Sequence, residues 1–512
     1  MKQVLILLLL TGSVFAQTKK EITLEDIFKK GTFFQKRLSG FRSMNDGKTY
    51  VSIERDNKTG LLQVVKNNFS HGKAVSVLFT QNDLRYENLQ LEPSTDFNAD
   101  ESKVLIPHEE EAIYRRSTKA NYFVFDIKTK KITEVSPKGK QQYATFSPDG
   151  NKVAFVRENN IYIKDLNSSE EKQITFDGKF NHIINGSADW VYEEEFSFAQ
   201  AFFWSPDGKS IAYYKFDESQ VPEYSMTVYN DLYPQDYRYK YPKAGEKNSA
   251  VSVHIYNLDN NSTKTVNVGS EKDQYIFRVR WTADPNLLCV LRLNRHQNKL
   301  DYILADAKNG TSKVILTEED NQYIDAEKEQ LTFLPNGKHF INTSERDGYN
   351  HVYLYDLNGK IVNQITKGNW EVTEVYGVDS KTNTLYYQST ERSPLRRDVY
   401  SVTLAGKNKR RISVKEGTTD AQFSKDFSYY VLTHSSAKSP AAVTLHDKLG
   451  KLIRRLEDNS ALIQAMNGFN VSQTELFSFE TSAKIRLNGY MIKPANFDAS
   501  KKYPVLMYVY GG

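Results

Sequence analysis

Hydrophobic residues along this chain come in short runs that alternate with polar positions, and the runs recur behind one turn phrase. An aromatic or apolar residue is followed by turn residues and then by an apolar strand. Phe146-Ser147-Pro148-Asp149-Gly150 precedes Val153–Val156, and Trp204-Ser205-Pro206-Asp207-Gly208 precedes Ile211–Tyr214. Looser copies stand at Phe41…Asp46-Gly47, Phe97…Asp100, Trp281…Asp284, Phe333…Asn336-Gly337, Val378-Asp379 and Phe423…Asp426. Pro-Asp-Gly makes a tight turn, because proline fixes φ and glycine tolerates positive φ. A second phrase, Asn160–Leu166 and again His351–Leu357, reads as a further strand ending at a polar turn. Copies spaced about 45–75 residues apart match the repeat length of propeller blades. A pair of β-sandwiches has no reason to repeat one turn phrase so often. The pattern predicts an all-β eight-bladed propeller over residues 41–470.

Four segments fall outside the repeat. Lys2, the apolar run Val4–Leu10 and the small residues leading to Ala16 predict a secretory signal peptide over residues 1–16. The run is too short for a membrane anchor, which needs about 20 apolar residues, so no stable membrane span is expected. In the N-terminal segment 17–40, Thr23–Lys36 reads as a short helix capped by Thr23, with Leu24, Ile27 and Phe28 on one face. Val221–Gly245, rich in Pro and Tyr, lengthens one blade well beyond the others, as an ordered insertion with a partner or a site to cover would. From about Asn470 the pattern changes. Glu475–Phe479 and Leu487–Lys493 suit a hairpin, and the continuous apolar run Tyr503–Tyr510 suits a strand buried on both faces of an α/β sheet. Residues 471–512 therefore read as the first part of a second domain.

Composition narrows the function classes. The 32 Tyr and 28 Phe favour pleated, half-buried strands. A net charge of +5 with both signs well mixed gives no case for nucleic acid binding. No zinc-ligand spacing or phosphate-cradling glycine loop is present. The single cysteine, Cys289, lies in an apolar run and reads as an inert buried thiol. It can form no internal disulfide.

The stretch Asp189-Trp190-Val191-Tyr192-Glu193-Glu194-Glu195-Phe196 carries the most chemistry. Three adjacent carboxylates usually mark an exposed helix turn, but these lie among Trp, Tyr and Phe. Carboxylates held beside aromatic bulk make a socket for an ammonium group. This octapeptide, followed by Trp204–Gly208, resembles the dipeptidyl peptidase IV branch of the prolyl oligopeptidase family. The resemblance implies a short helix projecting from the propeller, whose Glu194 and Glu195 bind the free N-terminal amine of a peptide, with Glu193 outside the pair. Anchoring the amine at a fixed distance from the nucleophile would make the enzyme cut after the second residue.

Further segments agree with that resemblance in order. Tyr114-Arg115-Arg116-Ser117 resembles the family segment whose Arg contacts a substrate carbonyl, which implies Arg115 for that role. Arg116 stands where His is common in the family, so the register could shift by one. Val221–Tyr224 with Tyr241–Gly245 resembles a blade arm used in dimer contacts. A homodimer through this arm and through a hydrolase domain is implied. Gly348-Tyr349 with Ile365–Val372 resembles a later blade. Lys501–Pro504 with Val509–Gly512 resembles the first central strand of an α/β-hydrolase domain, which would make Tyr510 the oxyanion donor. No Gly-x-Ser-x-Gly occurs and no His follows His446, so the nucleophile and its base are expected beyond these 512 residues and the chain alone is expected to be inactive. The resemblance thus implies an exported serine exopeptidase, periplasmic or extracellular, that releases N-terminal X-Pro or X-Ala dipeptides. It also implies no metal or cofactor, and no ligand spacing in the sequence contradicts that. A prolyl tripeptidyl peptidase and a non-catalytic peptide-binding propeller are the alternatives.

Overall fold

Each turn phrase becomes the connection between two adjacent strands of an antiparallel sheet, the first two in every sheet but the fourth, and the sheets follow one another in chain order. The computed structural model describes residues 19–86, 89–91 and 96–510; the expected signal segment 1–16 lies outside them, as do Gly511 and Gly512. The eight blades span residues 42–80, 96–134, 142–173, 183–265, 274–319, 332–364, 372–411 and 418–457. Seven are four-stranded and the fourth is five-stranded. The eight-bladed propeller read from the repeat is the fold of the protein.

The turn phrase recurs because it bonds to itself. In blade 3 the Ser147 hydroxyl donates to Asp149 Oδ1 at 2.5 Å and accepts from the Lys152 amide at 2.9 Å. In blade 4, Ser205 does the same with Asp207 at 2.6 Å and Ser210 at 2.9 Å. Both serines are buried, so the turn satisfies its own polar groups at the edge of the core. Cys289 lies fully buried in blade 5 among Leu288, Val290 and Leu291.

Every blade takes its strands from one stretch of chain, the fourth with a separate two-stranded hairpin inserted, so among the described residues no strand from one end of the chain completes a sheet at the other. The ring closes through side chains instead. Phe69 of blade 1 stacks on Tyr429 of blade 8 with centroids 5.3 Å apart, packed among Tyr50, Val431, Val443 and Leu445. The Lys425 amide donates to Ser43 Oγ across the same seam at 2.9 Å.

The segments around the ring differ in part from expectation. Helix α1 is Leu24–Phe28 only, with Thr23 as its cap in a reciprocal capping box with Asp26. Leu24, Ile27 and Phe28 are exposed rather than packed, and the residue α1 buries is Asp26. The 221–245 insertion forms a hairpin of Glu223–Val228 and Gln235–Lys240, with Tyr229, Leu232 and Tyr233 exposed at its tip. After blade 8, Ser460–Asn467 forms a helix, and Thr474–Glu480 pairs with Arg486–Ile492. The expected buried strand Tyr503–Tyr510 does not form. This run joins no sheet, and Val505–Tyr510 are exposed. A strand needs a neighbour for its backbone groups, and no described segment supplies one.

Candidate functional site

The acidic motif rides on an excursion from blade 4. Ile183–Asn185 and Phe202–Trp204 both pair with the strand Ser210–Asp217, in one continuous register. Between them Gly186 and Ala201 meet at the same point, each bonded to Tyr214, and the chain leaves the sheet and returns. Gly186 is required there: its φ is +77°, and a Cβ would sit 2.7 Å from Ile161.

The excursion carries helix α2, Trp190–Glu195. Asp189 caps it, its Oδ1 accepting from the Tyr192 amide at 2.9 Å and its Oδ2 accepting from Ser249 Oγ at 2.6 Å. Burial raises the Asp189 carboxyl to about 6. The Tyr192 hydroxyl accepts from the Ile276 amide of blade 5 at 2.9 Å. At the helix end, Arg278 donates to the Phe196 carbonyl at 2.7 Å. At its start, Trp190 packs on Tyr241 at the base of the hairpin arm, 4.1 Å between centroids. Five contacts thus fix one and a half turns of helix.

With Val191, Tyr192 and Glu193 facing inward, Glu194 and Glu195 are left outside. Arg115 comes over from blade 2 and grips Glu194 with two prongs, Nε to Oε2 at 3.0 Å and Nη2 to Oε1 at 2.7 Å. Glu195 is exposed and bonded to no donor among the described residues. Two carboxylates and one guanidinium leave the helix tip one negative charge in excess. Glu193 points the other way, 1% exposed, its Oε1 accepting from the amides of Arg116 at 2.6 Å and Ser117 at 2.9 Å.

Arg116 donates to the Glu193 carbonyl at 3.2 Å and to Ser197 Oγ at 3.0 Å. Ser197 donates in turn to Glu327 at 2.8 Å, on the segment between blades 5 and 6. Behind the helix lies a cavity of about 500 Å³, walled by Tyr114, Trp190, Tyr237 and Glu218.

The structure therefore brings Arg115 to Glu194, with Glu195 beside them. Tyr510 is not brought there: it is 83% exposed in the terminal run, with no bond or ring contact to the helix among the described residues. The capping role of Asp189 was open to sequence reasoning, since Asp before a helical stretch is a cap signal. Ser197 and Glu327 carried no such signal, because their link spans 130 residues.

The family model for the dipeptidyl peptidase IV N-terminal region matches residues 98–441. A probable dipeptidyl-aminopeptidase B of Phaeosphaeria nodorum is 30% identical over 502 residues, 91% of this chain and 54% of the relative. Dipeptidyl peptidase 4 of Trichophyton rubrum is 32% identical over 434 residues, covering 81% of this chain and 56% of the relative. The chain thus spans about half the length of the curated relatives it matches. The crystal structure of Porphyromonas gingivalis dipeptidyl peptidase 4 superposes with a TM-score of 0.88 at 39% identity, over 95% of this chain and 69% of that one. A putative dipeptidyl aminopeptidase IV from Bacteroides ovatus, at 24% identity and a TM-score of 0.77 over the same shares, shares the fold. With two thirds of its length matched by the family model and its fold superposed on that of a solved relative, the chain belongs to the dipeptidyl peptidase IV family, as its N-terminal propeller region.

Proposed function

We propose that this propeller is the substrate-recognition part of an exported serine exopeptidase that holds peptides by their free N-terminus and releases dipeptides ending in Pro or Ala. The observation that carries the reading is the helix tip: Glu195 is exposed and unpaired, next to Glu194 held by Arg115. An incoming ammonium meets the one uncompensated charge there, while Arg115 keeps donors available for a substrate carbonyl. The scissile bond would be attacked by a serine activated by histidine, with Tyr510 donating to the oxyanion, once these groups are assembled in the full-length protein. In this reading the arm at 221–245 serves a homodimer, and the protein acts in the periplasm or outside the cell.

The test is kinetic, on the full-length protein with Gly-Pro-p-nitroanilide. A charge-assisted hydrogen bond contributes about 1.5–3 kcal/mol, so Glu195→Gln and Glu194→Gln should each lower kcat/KM about ten- to a hundred-fold. A substrate with an acetylated amine should be rejected by the parent enzyme. Equal turnover of free and acetylated substrates, or an unchanged Glu195→Gln, would place the amine elsewhere.

A further inference from the structure

We propose that Glu193 and Arg116 are positioning residues that lock the Arg115 loop onto the recognition helix and so fix where a peptide's amine and carbonyl dock. The proposal rests on the recognition reading above and deepens it.

The Arg115–Glu194 pair cannot hold this geometry by itself. The Arg115 side chain is 69% exposed, and exposed ion pairs are worth little against the side-chain freedom they must freeze. The loop is held from beneath instead. Glu193 Oε1 accepts both backbone N–H groups that follow Arg115, at 2.6 and 2.9 Å, in a site shut off from solvent. Its other oxygen, Oε2, is buried with no partner among the described residues. A buried carboxylate with one oxygen unsatisfied is costly. An apolar side chain would serve helix packing better, so the charge is explained by what its other oxygen grips.

Arg116 closes the clasp from the opposite side. Carbonyls in the last turn of a helix lack intrahelical donors, and Arg116 Nε supplies one to the Glu193 carbonyl at 3.2 Å. Its Nη2 donates to Ser197 Oγ at 3.0 Å. Ser197 sits at φ +58°, in the left-handed region that non-glycine residues seldom adopt, and its hydroxyl passes the link to Glu327 at 2.8 Å. A loop of blade 2, the helix of blade 4 and the segment before blade 6 are thereby tied together, with Arg115 directly ahead of both grips in the chain. The guanidinium of Arg116 reaches two acceptors at once, the Glu193 carbonyl and Ser197 Oγ.

The experiment uses the full-length protein, Gly-Pro-p-nitroanilide kinetics and amide hydrogen exchange. Glu193→Ala should raise KM about ten-fold or more with kcat within about three-fold, because it loosens docking and leaves the reacting groups alone. Glu193→Gln keeps the accepting oxygen and should return KM to within about three-fold of the parent. Arg116→Ala should raise KM, and Arg116→Lys, which lacks the fork, should not restore it.

In an Arg115→Ala background, Glu193→Ala should add less than about two-fold, since the two act through one contact. The same loss with and without Arg115 overturns the proposal. Exchange at the Arg116 and Ser117 amides should rise about ten-fold or more in Glu193→Ala, and unchanged exchange also overturns it. If exchange rises while Arg115→Ala leaves KM unaltered, the clasp stands and the carbonyl-docking role of Arg115 falls.

Discussion

Glu218 stands 5% exposed on the wall of the cavity behind helix α2. Burial lifts its carboxyl from 4.5 to about 7, with Asp189 adding to the rise and Lys240 opposing it. Between those two values the folded protein holds a proton that the unfolded chain has released. Stability therefore falls as pH rises through this window, and the full cost is reached above about 7. Glu218→Gln removes that slope. The variant should match the parent near pH 5 and exceed it at pH 8 by up to about 3 kcal/mol. Urea melts of both proteins at the two pH values check this, and a gap that does not widen with pH would refute it. None of this was visible in the sequence, where Glu218 is one acidic residue among many. Its strain comes from a cavity assembled by blade 2, the helix and the arm. Glu194 and Glu195 stand out in sequence because their acidic motif is contiguous, and Arg115 because a second short segment, Tyr114–Ser117, resembles the same family; that the two segments meet needed coordinates. Glu193 was placed outside the pair on the same motif, but its grip on blade 2 needed coordinates.

Among the elements, helix α2 is too short to be stable by propensity, since isolated helices need about 12–15 residues. It exists because blades 4 and 5 hold its cap, its tyrosine and its end. Tyr192→Phe keeps the packing against Phe196 and Phe216 but leaves the buried Ile276 amide without its acceptor. That change should cost about 1–3 kcal/mol in denaturant melts, and a loss of a few tenths would show that the bond is dispensable. The repeated turns were legible since each bonds within its own phrase. Two other expected elements meet no packing neighbour among the described residues. Helix α1 stops after five residues because nothing described packs on Leu24 or Phe28 to extend it. The run 503–510 has the composition of a central strand but no sheet to join. Local patterns specify turns and hairpins; they do not supply partners.

At the scale of the whole molecule, the eightfold count followed from the repeat, whereas the manner of closure did not. Phe69, fully buried, is one of the side chains that fill the seam between the first and last blades. Phe69→Ala should cost about 3–5 kcal/mol, in the range for a buried aromatic, and Phe69→Leu much less. If melts of Phe69→Ala fall within 1 kcal/mol of the parent by this measure, other contacts carry the seam. The seam also sets a clock. Because each blade is complete in sequence, a chain leaving the ribosome finishes its sheets one after another and waits for none. The first blade is the exception on one flank: the amide that meets Ser43 is made 382 residues later. At about 5–20 residues per second, Tyr50 and Phe69 face water for roughly 20–80 s before their cover exists. During synthesis that flank, rather than any loop of the finished ring, is where the protein is most exposed to aggregation.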